Sequence, residues 1–249
     1  MNLKDKVAIV SGGARDIGKA VSLKLAAEGA KVVINYRSNS ASAEETLREI
    51  QQAGGEAIIV QGDMTLQDDV ARLVQKTVET YGSTIDILVN VAGGLVARKT
   101  LEEMDEAFFN QVIGLNLNST FLLTKAVVPH MDGGSIINLA SQAGRDGGGP
   151  GASAYATSKG AVMTFTRAMA KELGPRNIRV NALCPGMIST TFHDTFTKDE
   201  VRTNVANATP LKREGRASEV ADAVAYLASE EASFITGANL DINGGLLFS

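Results

Sequence analysis

The 249-residue chain has no tryptophan, one cysteine, two histidines and five prolines. The lone cysteine, Cys184, has no partner for an internal disulfide, and no Cys/His spacing suits zinc, so disulfide scaffolds and metal sites are not expected. Cys184 ends the apolar run 178–184 and reads as a buried structural thiol. There is no basic tract. Lys and Arg total 24 against 28 Asp and Glu, a net charge of −4, so the electrostatic footprint of a nucleic-acid binder is missing. Residues 1–6 are polar and lack the apolar core of a secretory signal, and no apolar stretch is read as approaching the roughly 18 residues that span a bilayer. The expectation is a cytoplasmic protein with neither membrane nor nucleic acid as partner. With 44% hydrophobic and 21% charged residues, the chain is too apolar for disorder. Glycine alone is in excess, at 25 residues against a usual level of roughly 7%. Without a G-X-Y period this is not collagen, so the glycines serve particular turns.

Short apolar, β-branched runs at 7–10, 31–35, 57–60, 85–90, 135–140, 178–183 and 239–242 alternate with longer amphipathic stretches. Helices are predicted over 17–28, 41–53, 66–81, 155–173 and 218–229, the last with Ser218 as N-cap and Glu219 in its first turn. Residues 105–130 are read as two helical pieces. Gly54-Gly55, Gly82 and Gly174-Pro175 act as helix stops. The alternation predicts an α/β protein with a doubly wound, seven-stranded parallel sheet and helices on both faces, joined by right-handed crossovers. No linker divides the chain, so 1–249 is read as a single domain. Ligands of such sheets bind beyond the carboxyl ends of the strands, where most of the remaining glycines fall.

The first strand runs into Ser11-Gly12-Gly13-Ala14-Arg15-Asp16-Ile17-Gly18 and then a helix. A glycine-rich turn of this kind lets backbone N–H groups and a helix N-terminus approach a pyrophosphate. Asp16 puts a carboxylate where glycine would be usual. It either caps the helix opening at Ile17 and points away, or repels the phosphates. After the second strand, Tyr36-Arg37-Ser38 replaces the acidic residue that would accept from a ribose 2′-hydroxyl. Arg37, with Ser38 and Arg15 nearby, suits a 2′-phosphate, which predicts NADPH (NADP+) as cofactor; a solvated charge is the plainer alternative.

Tyr155 and Lys159 stand four apart at the start of a predicted helix, on one face. A nearby ammonium favours phenolate, so Lys159 is expected to lower the Tyr155 pKa and make it a general acid for a carbonyl oxygen. Ser141 lies at the end of the fifth strand, fourteen positions earlier.

Taken together, these motifs resemble the short-chain dehydrogenases/reductases along essentially the whole chain. Residues 11–18 are similar to the family's TGxxxGxG, with Ser11 for Thr and Asp16 for the middle Gly. Asn90-Val91-Ala92-Gly93 is similar to NNAG. The resemblance implies a single-domain Rossmann fold. It implies a catalytic tetrad of Asn116, Ser141, Tyr155 and Lys159, with Ser141 orienting the carbonyl and Lys159 also holding the ribose hydroxyls. Asn116 would support a proton-relaying water. Asp63, with Met64, would contact adenine. Asn90, Ala92 and Gly93 would flank the cofactor, and Pro185, Gly186, Ile188 and Thr190 would cradle the nicotinamide. A homotetramer is also implied.

The predicted substrate opening is rimmed by Gly93-Gly94-Leu95-Val96-Ala97-Arg98-Lys99, by the glycine-rich 144–151 and by Thr190-Thr191-Phe192-His193. Bare backbone at 147–149 suits a hydroxylated or anionic ligand. Gly94, Gly149, Gln142 and His193 are read as substrate contacts, and Arg98 or Arg145 as partners for a carboxylate. Little is read as able to line an aliphatic pocket. These segments resemble those of the reductases of alginate degradation, implying that the small-molecule substrate is the aldehyde 4-deoxy-L-erythro-5-hexoseulose uronate, reduced to 2-keto-3-deoxygluconate. The alternatives are a 3-oxoacyl-acyl-carrier-protein reductase, weighed against by the absence of Arg and Lys in 129–134, and a glucose-type sugar dehydrogenase. A non-catalytic dinucleotide sensor would be expected to lack Tyr155 or Lys159.

Overall fold

The computed structural model describes residues 1–248. In chain order the elements are β1 (Val7–Ser11), α1 (Asp16–Ala27), β2 (Lys31–Tyr36), α2 (Ser40–Gln52), β3 (Glu56–Gln61), α3 (Gln67–Tyr81) and β4 (Ile87–Asn90). There follow α4 (Glu106–Ile113), a π-helical turn (Gly114–Asn118), α5 (Ser119–Val127), β5 (Gly134–Leu139), α6 (Ala143–Asp146) and α7 (Ser153–Leu173). The last part holds β6 (Ile178–Pro185), β7 (Ile188–Ser189), α8 (Thr191–Phe196), α9 (Asp199–Ala208), β8 (Gly215–Arg216), α10 (Ala217–Ala228) and β9 (Asn239–Ile242).

Seven strands form one parallel sheet in the order β3-β2-β1-β4-β5-β6-β9. β1 is buried along its whole length, because helices cover both faces of the sheet. One apolar layer joins Val10, Val21, Leu25, Ile34, Ile137 and Val224; the other joins Ile9, Val33, Leu73, Leu88, Leu123 and Ile136. The strand order reverses between β1 and β4, where Ser11 pairs with Asn90. Chains that leave these two strands diverge to opposite faces and open a crevice at their carboxyl ends.

The structure departs from the sequence expectation at several elements. The fourth strand starts at Ile87 rather than at 85. The last helix is capped by Arg216, not Ser218, and the Glu219 carboxylate accepts the Arg216 N–H at 2.7 Å. Residues 191–208 and 143–146 form helices, and Ile188–Ser189 pairs with Gly215–Arg216 in a separate two-stranded ladder. Glu106–His130 is one continuous helical run, long and apolar enough by length and composition to cross a membrane, with a mean hydropathy of 1.2 over 18 residues. Here it packs as a layer of the fold, α4 against α7 and α5 against α3 and β4.

Gly18 sits where α1 presses on the turn before it. A Cβ there would lie 2.0 Å from the Gly12 carbonyl oxygen. Backbone cannot yield that distance without moving the turn. Gly18→Ala should therefore cost on the order of 3 kcal/mol, seen as a lower urea midpoint at unchanged m-value.

Candidate active site

The floor of the crevice is built by short polar links between loops. Ser11 Oγ accepts the N–H groups of Val91 and Ala92 at 3.1 and 3.2 Å. Asn35 Oδ1 accepts the Gly12 N–H at 3.3 Å, while Asn35 Nδ2 donates to the Gly62 carbonyl at 3.0 Å. Gly12 itself adopts φ +64°, a left-handed conformation that glycine takes without strain. Ser11 and Asn90 therefore stand behind the wall rather than on it. Asn90 Nδ2 donates to Thr124 Oγ1 and Asn138 Oδ1, which stitches β4 to α5 and β5. Asn35 was read only as the end of a strand; its position one turn below Gly12 in space has no local sequence signal.

The remaining predicted cofactor residues line one cleft of about 1240 Å³. Gly12, Arg15, Asp16, Ile17 and Gly18 stand at one end, with Tyr36, Arg37, Ser38, Asp63 and Met64 beside them. Ala92, Gly93, Pro185, Gly186, Ile188 and Thr190 lie further along, toward Tyr155 and Lys159. No side chain caps α1, so its first-turn N–H groups remain free for an anion. Arg37 is largely exposed, with Nη1 3.8 Å from an Asp63 carboxylate oxygen. The bare backbone at Gly12, the uncapped helix and the cleft's length fit a dinucleotide. Asp16 lines the cleft but does not cap α1, whose N-cap is Arg15. Its carboxylate is turned to Thr191.

The tetrad residues converge at the inner end. Ser141 follows β5, and Tyr155 and Lys159 share one face of α7. Asn116 sits inside the π-helical turn, fully buried, with Oδ1 accepting the Gly94 N–H at 3.0 Å and Nδ2 donating to the Gly94 carbonyl at 2.9 Å. Its Nδ2 also donates to the Val112 carbonyl, four residues back, at 2.9 Å, so the side chain bridges the π-helical turn to the loop at Gly94. A Cβ on Gly93 would lie 2.6 Å from Asn116 Oδ1 and 3.2 Å from Lys159 Nζ, so only glycine lets these groups meet. Lys159 is 5% exposed and donates to the Leu139 carbonyl at 2.6 Å. Burial pulls its pKa down to about 8. The expected lowering of the Tyr155 pKa is not met by these side chains. Burial pushes the phenol up, Ser141 pulls it down less strongly, and the Lys159 ammonium lies 5.8 Å from the ring centroid, committed to Leu139.

The rim corrects several expectations. Arg98 does not line the cleft and braces the loops beside it: Nε donates to Phe196 O at 3.0 Å and Nη1 to Pro150 O at 2.9 Å. Arg145 pairs with Asp241 at 2.8 Å and donates to Asn239 O. Gly94, Gln142, Gly149 and His193 do line the cleft. Gln142 Nε2 donates to Asp146, leaving Oε1 buried without a partner. His193 Nδ1 lies 2.9 Å from Thr197 Oγ1, and burial lowers its pKa, so the ring is neutral at pH 7. The cleft also has apolar lining that the sequence reading did not expect: Val96, Leu115, Phe192, Phe196 and Val205, beside the polar Thr190, Thr191, His193 and Thr195. The Phe192 ring is 5.9 Å from Tyr155 and 5.2 Å from Phe196. The four-residue spacing from Phe192, which the sequence already placed on the rim, is the signal that would have found Phe196. Among the described residues, no group of three or more His, Cys, Asp or Glu is placed to hold a metal. Cys184 is buried, and its thiol pKa is pushed up to about 11 by burial.

A family model described as enoyl-(acyl carrier protein) reductase matches residues 12–247. The 3-oxoacyl-[acyl-carrier-protein] reductase of Synechocystis sp. is 40% identical, with 98% of each chain covered. The chain belongs to the short-chain dehydrogenase/reductase family. Glucose 1-dehydrogenase 2 of Bacillus subtilis is 36% identical over 98% of this chain and 96% of its own length. Among solved structures, a short-chain dehydrogenase/reductase from Serratia marcescens superposes with a TM-score of 0.93 at 35% identity, covering 99% of both chains. A dehydrogenase/reductase from Sinorhizobium meliloti matches at the same TM-score and identity, over 99% of this chain and 97% of its own. The family establishes an oxidoreductase that uses NAD(P) and a small-molecule substrate.

Below about pH 8, Lys159 is charged in both the folded and the unfolded chain, and folding carries the full cost of burying that charge. Between about 8 and 10.5 the folded group is neutral while the unfolded one still holds its proton. The stability of the wild type relative to Lys159→Met should therefore rise across that window and level off above it. The gain is on the order of 3 kcal/mol, since one pKa unit is about 1.4 kcal/mol. Paired urea titrations at stepped pH measure it, and Cys184, common to both proteins, cancels.

Proposed function

We propose that the chain is an NADPH-preferring reductase of 3-oxoacyl thioesters. The observation that carries this reading is the apolar lining supplied by Val96, Leu115, Phe192 and Phe196, with the Phe192 ring 5.9 Å from that of Tyr155. An acyl chain gains by burial against such a lining, whereas a carboxylate would find Arg98 and Arg145 already committed. The 3-oxoacyl-[acyl-carrier-protein] reductase relative supports it.

Ser141 donates to the substrate carbonyl oxygen and fixes its direction. Tyr155, also within reach of that oxygen, supplies the proton. The dihydronicotinamide, when bound, supplies the hydride. The half-reaction on the substrate then balances as one hydride to carbon and one proton to oxygen, giving the alcohol. Lys159, held by Leu139 and buried beside Asn116, provides the positive charge that stabilises the resulting phenolate and the route by which it is reprotonated. Val96, Phe192 and Phe196 keep water from the reacting centre. Arg37 and Arg15, both exposed at the far end of the cleft, present two guanidinium groups with Ser38 to a 2′-phosphate.

A second reading, reduction of a small hydroxylated sugar derivative such as the alginate-derived keto uronate, is favoured by Gln142. Its unpartnered Oε1 would accept from a substrate hydroxyl. The sugar dehydrogenase relative is compatible with it. Assembly as a cytoplasmic homotetramer fits two exposed apolar faces, one at Phe109 and Phe121, the other at Phe234, Leu240 and Phe248.

Initial rates of NADPH and NADH oxidation should be compared with acetoacetyl-CoA, the keto uronate and glucose-derived lactone as oxidants. The expected result is the highest kcat/KM with acetoacetyl-CoA, and at least about tenfold preference for NADPH, the worth of one charge-assisted contact. Preference for the keto uronate selects the second reading, and preference for NADH removes the role assigned to Arg37.

A further inference from the structure

Asp16 adopts φ +52°, in the left-handed region where glycine is unstrained and a carboxylate-bearing residue is tolerated. A glycine would meet the backbone demand better, so the side chain has other work. Both carboxylate oxygens are engaged far along the chain. Oδ1 accepts the Thr191 N–H at 2.9 Å, and Oδ2 accepts the Thr191 hydroxyl at 2.6 Å. Arg15 Nε lies 3.8 Å from Oδ2. Thr191 opens α8, and the next residue places its ring on Tyr155. The contact thus joins the phosphate loop, at one end of the cleft, to the segment Thr191–Ala208 that walls the other.

We propose that Asp16 is a positioning residue: it latches the 191–208 flap onto the phosphate loop and so sets Phe192 against Tyr155. The inference deepens the functional reading above and rests on it for the consequence to catalysis, but not for the latch itself. The flap has other tethers, from Arg98 to Phe196 O and from Arg202 to Glu214, while within the flap Arg202 also ties α9 to Asp194 in the first turn of α8. Loss of the Asp16 contact therefore leaves the flap, with Lys198 in it, held by the Arg98 and Arg202 contacts and free to open more often. Phe192 then no longer closes over the carbonyl, while the uncapped N-terminus of α1 still receives an anion.

The test uses the full chain and two readouts. Lys198, exposed between α8 and α9, reports flap opening through its rate of tryptic cleavage with no ligand added. Asp16→Gly, which relieves the backbone, should raise that rate about tenfold and Thr191→Val about threefold, as two and one hydrogen bonds are lost. The double variant should be no faster than Asp16→Gly, and Asp16→Asn, which keeps an acceptor for the Thr191 N–H, should fall between wild type and Asp16→Gly. With NADPH and acetoacetyl-CoA, Asp16→Gly should raise the thioester KM about fivefold at near-constant kcat, with NADPH affinity changed less than about threefold. Unchanged cleavage in Asp16→Gly, or multiplied effects in the double variant, would overturn the latch. So would a large gain in NADPH affinity, which would make Asp16 a phosphate repeller. Absence of turnover in the wild type would instead overturn the functional reading and leave the cleavage rates to decide the latch.

Discussion

The site depends on keeping one ammonium charged where water is nearly excluded. Lys159 is almost wholly buried, and burial alone brings its pKa close to neutrality. Its neighbourhood is arranged to hold the charge without a carboxylate partner. The Leu139 carbonyl at the end of β5 accepts one of its hydrogen bonds, and the π-helical turn brings Asn116 to the same side of Gly93. Gly93 leaves out the Cβ that would separate them. A carboxylate would neutralise the lysine but would also fix its proton; in the proposed mechanism a neutral carbonyl leaves the ammonium its charge, to be felt by the phenolate formed in each turnover. The parallel sheet is what brings these pieces together, since β4, β5 and α7 all end or begin at the same edge.

The second organising feature is how the cationic groups are used. Arg98 and Arg145 spend their donors on backbone carbonyls and Asp241, bracing the loops around the opening. Arg202 does the same for the flap. Neither Arg98 nor Arg145 lines the cleft, whereas Val96, Phe192 and Phe196 do. Binding energy in such a site comes from area removed from water, which suits an acyl substrate, and specificity falls to few polar atoms, of which Gln142 Oε1 is the one left unpaired.

Much of this was legible in the sequence because it is local. Seven apolar runs became the seven strands of the sheet, and Tyr155 and Lys159 fell on one helical face as their spacing requires. The glycines after β1 and β4 marked the crevice. What was not legible depends on residues distant in the chain. Nothing near Asp16 announces Thr191, 175 positions away, and nothing near Arg145 announces Asp241. Both arginines therefore read as free charges. The π-helical turn escaped because a continuous apolar helix and one with a widened turn share the same periodicity. The Tyr155 pKa was misjudged because i,i+4 spacing gives a shared face but not where Lys159 Nζ finds its acceptor.

The central claim is that Tyr155 is the proton donor in a site whose cofactor binding does not depend on it. The direct measurement is single-turnover reduction of acetoacetyl-CoA by Tyr155→Phe with NADPH deuterated at C4, alongside a fluorescence titration of NADPH. The account predicts deuterium at the new carbinol carbon in the wild type, and a chemical step slowed at least about a hundredfold in the variant with NADPH affinity changed less than about threefold. Turnover by Tyr155→Phe at a rate near that of the wild type would contradict it.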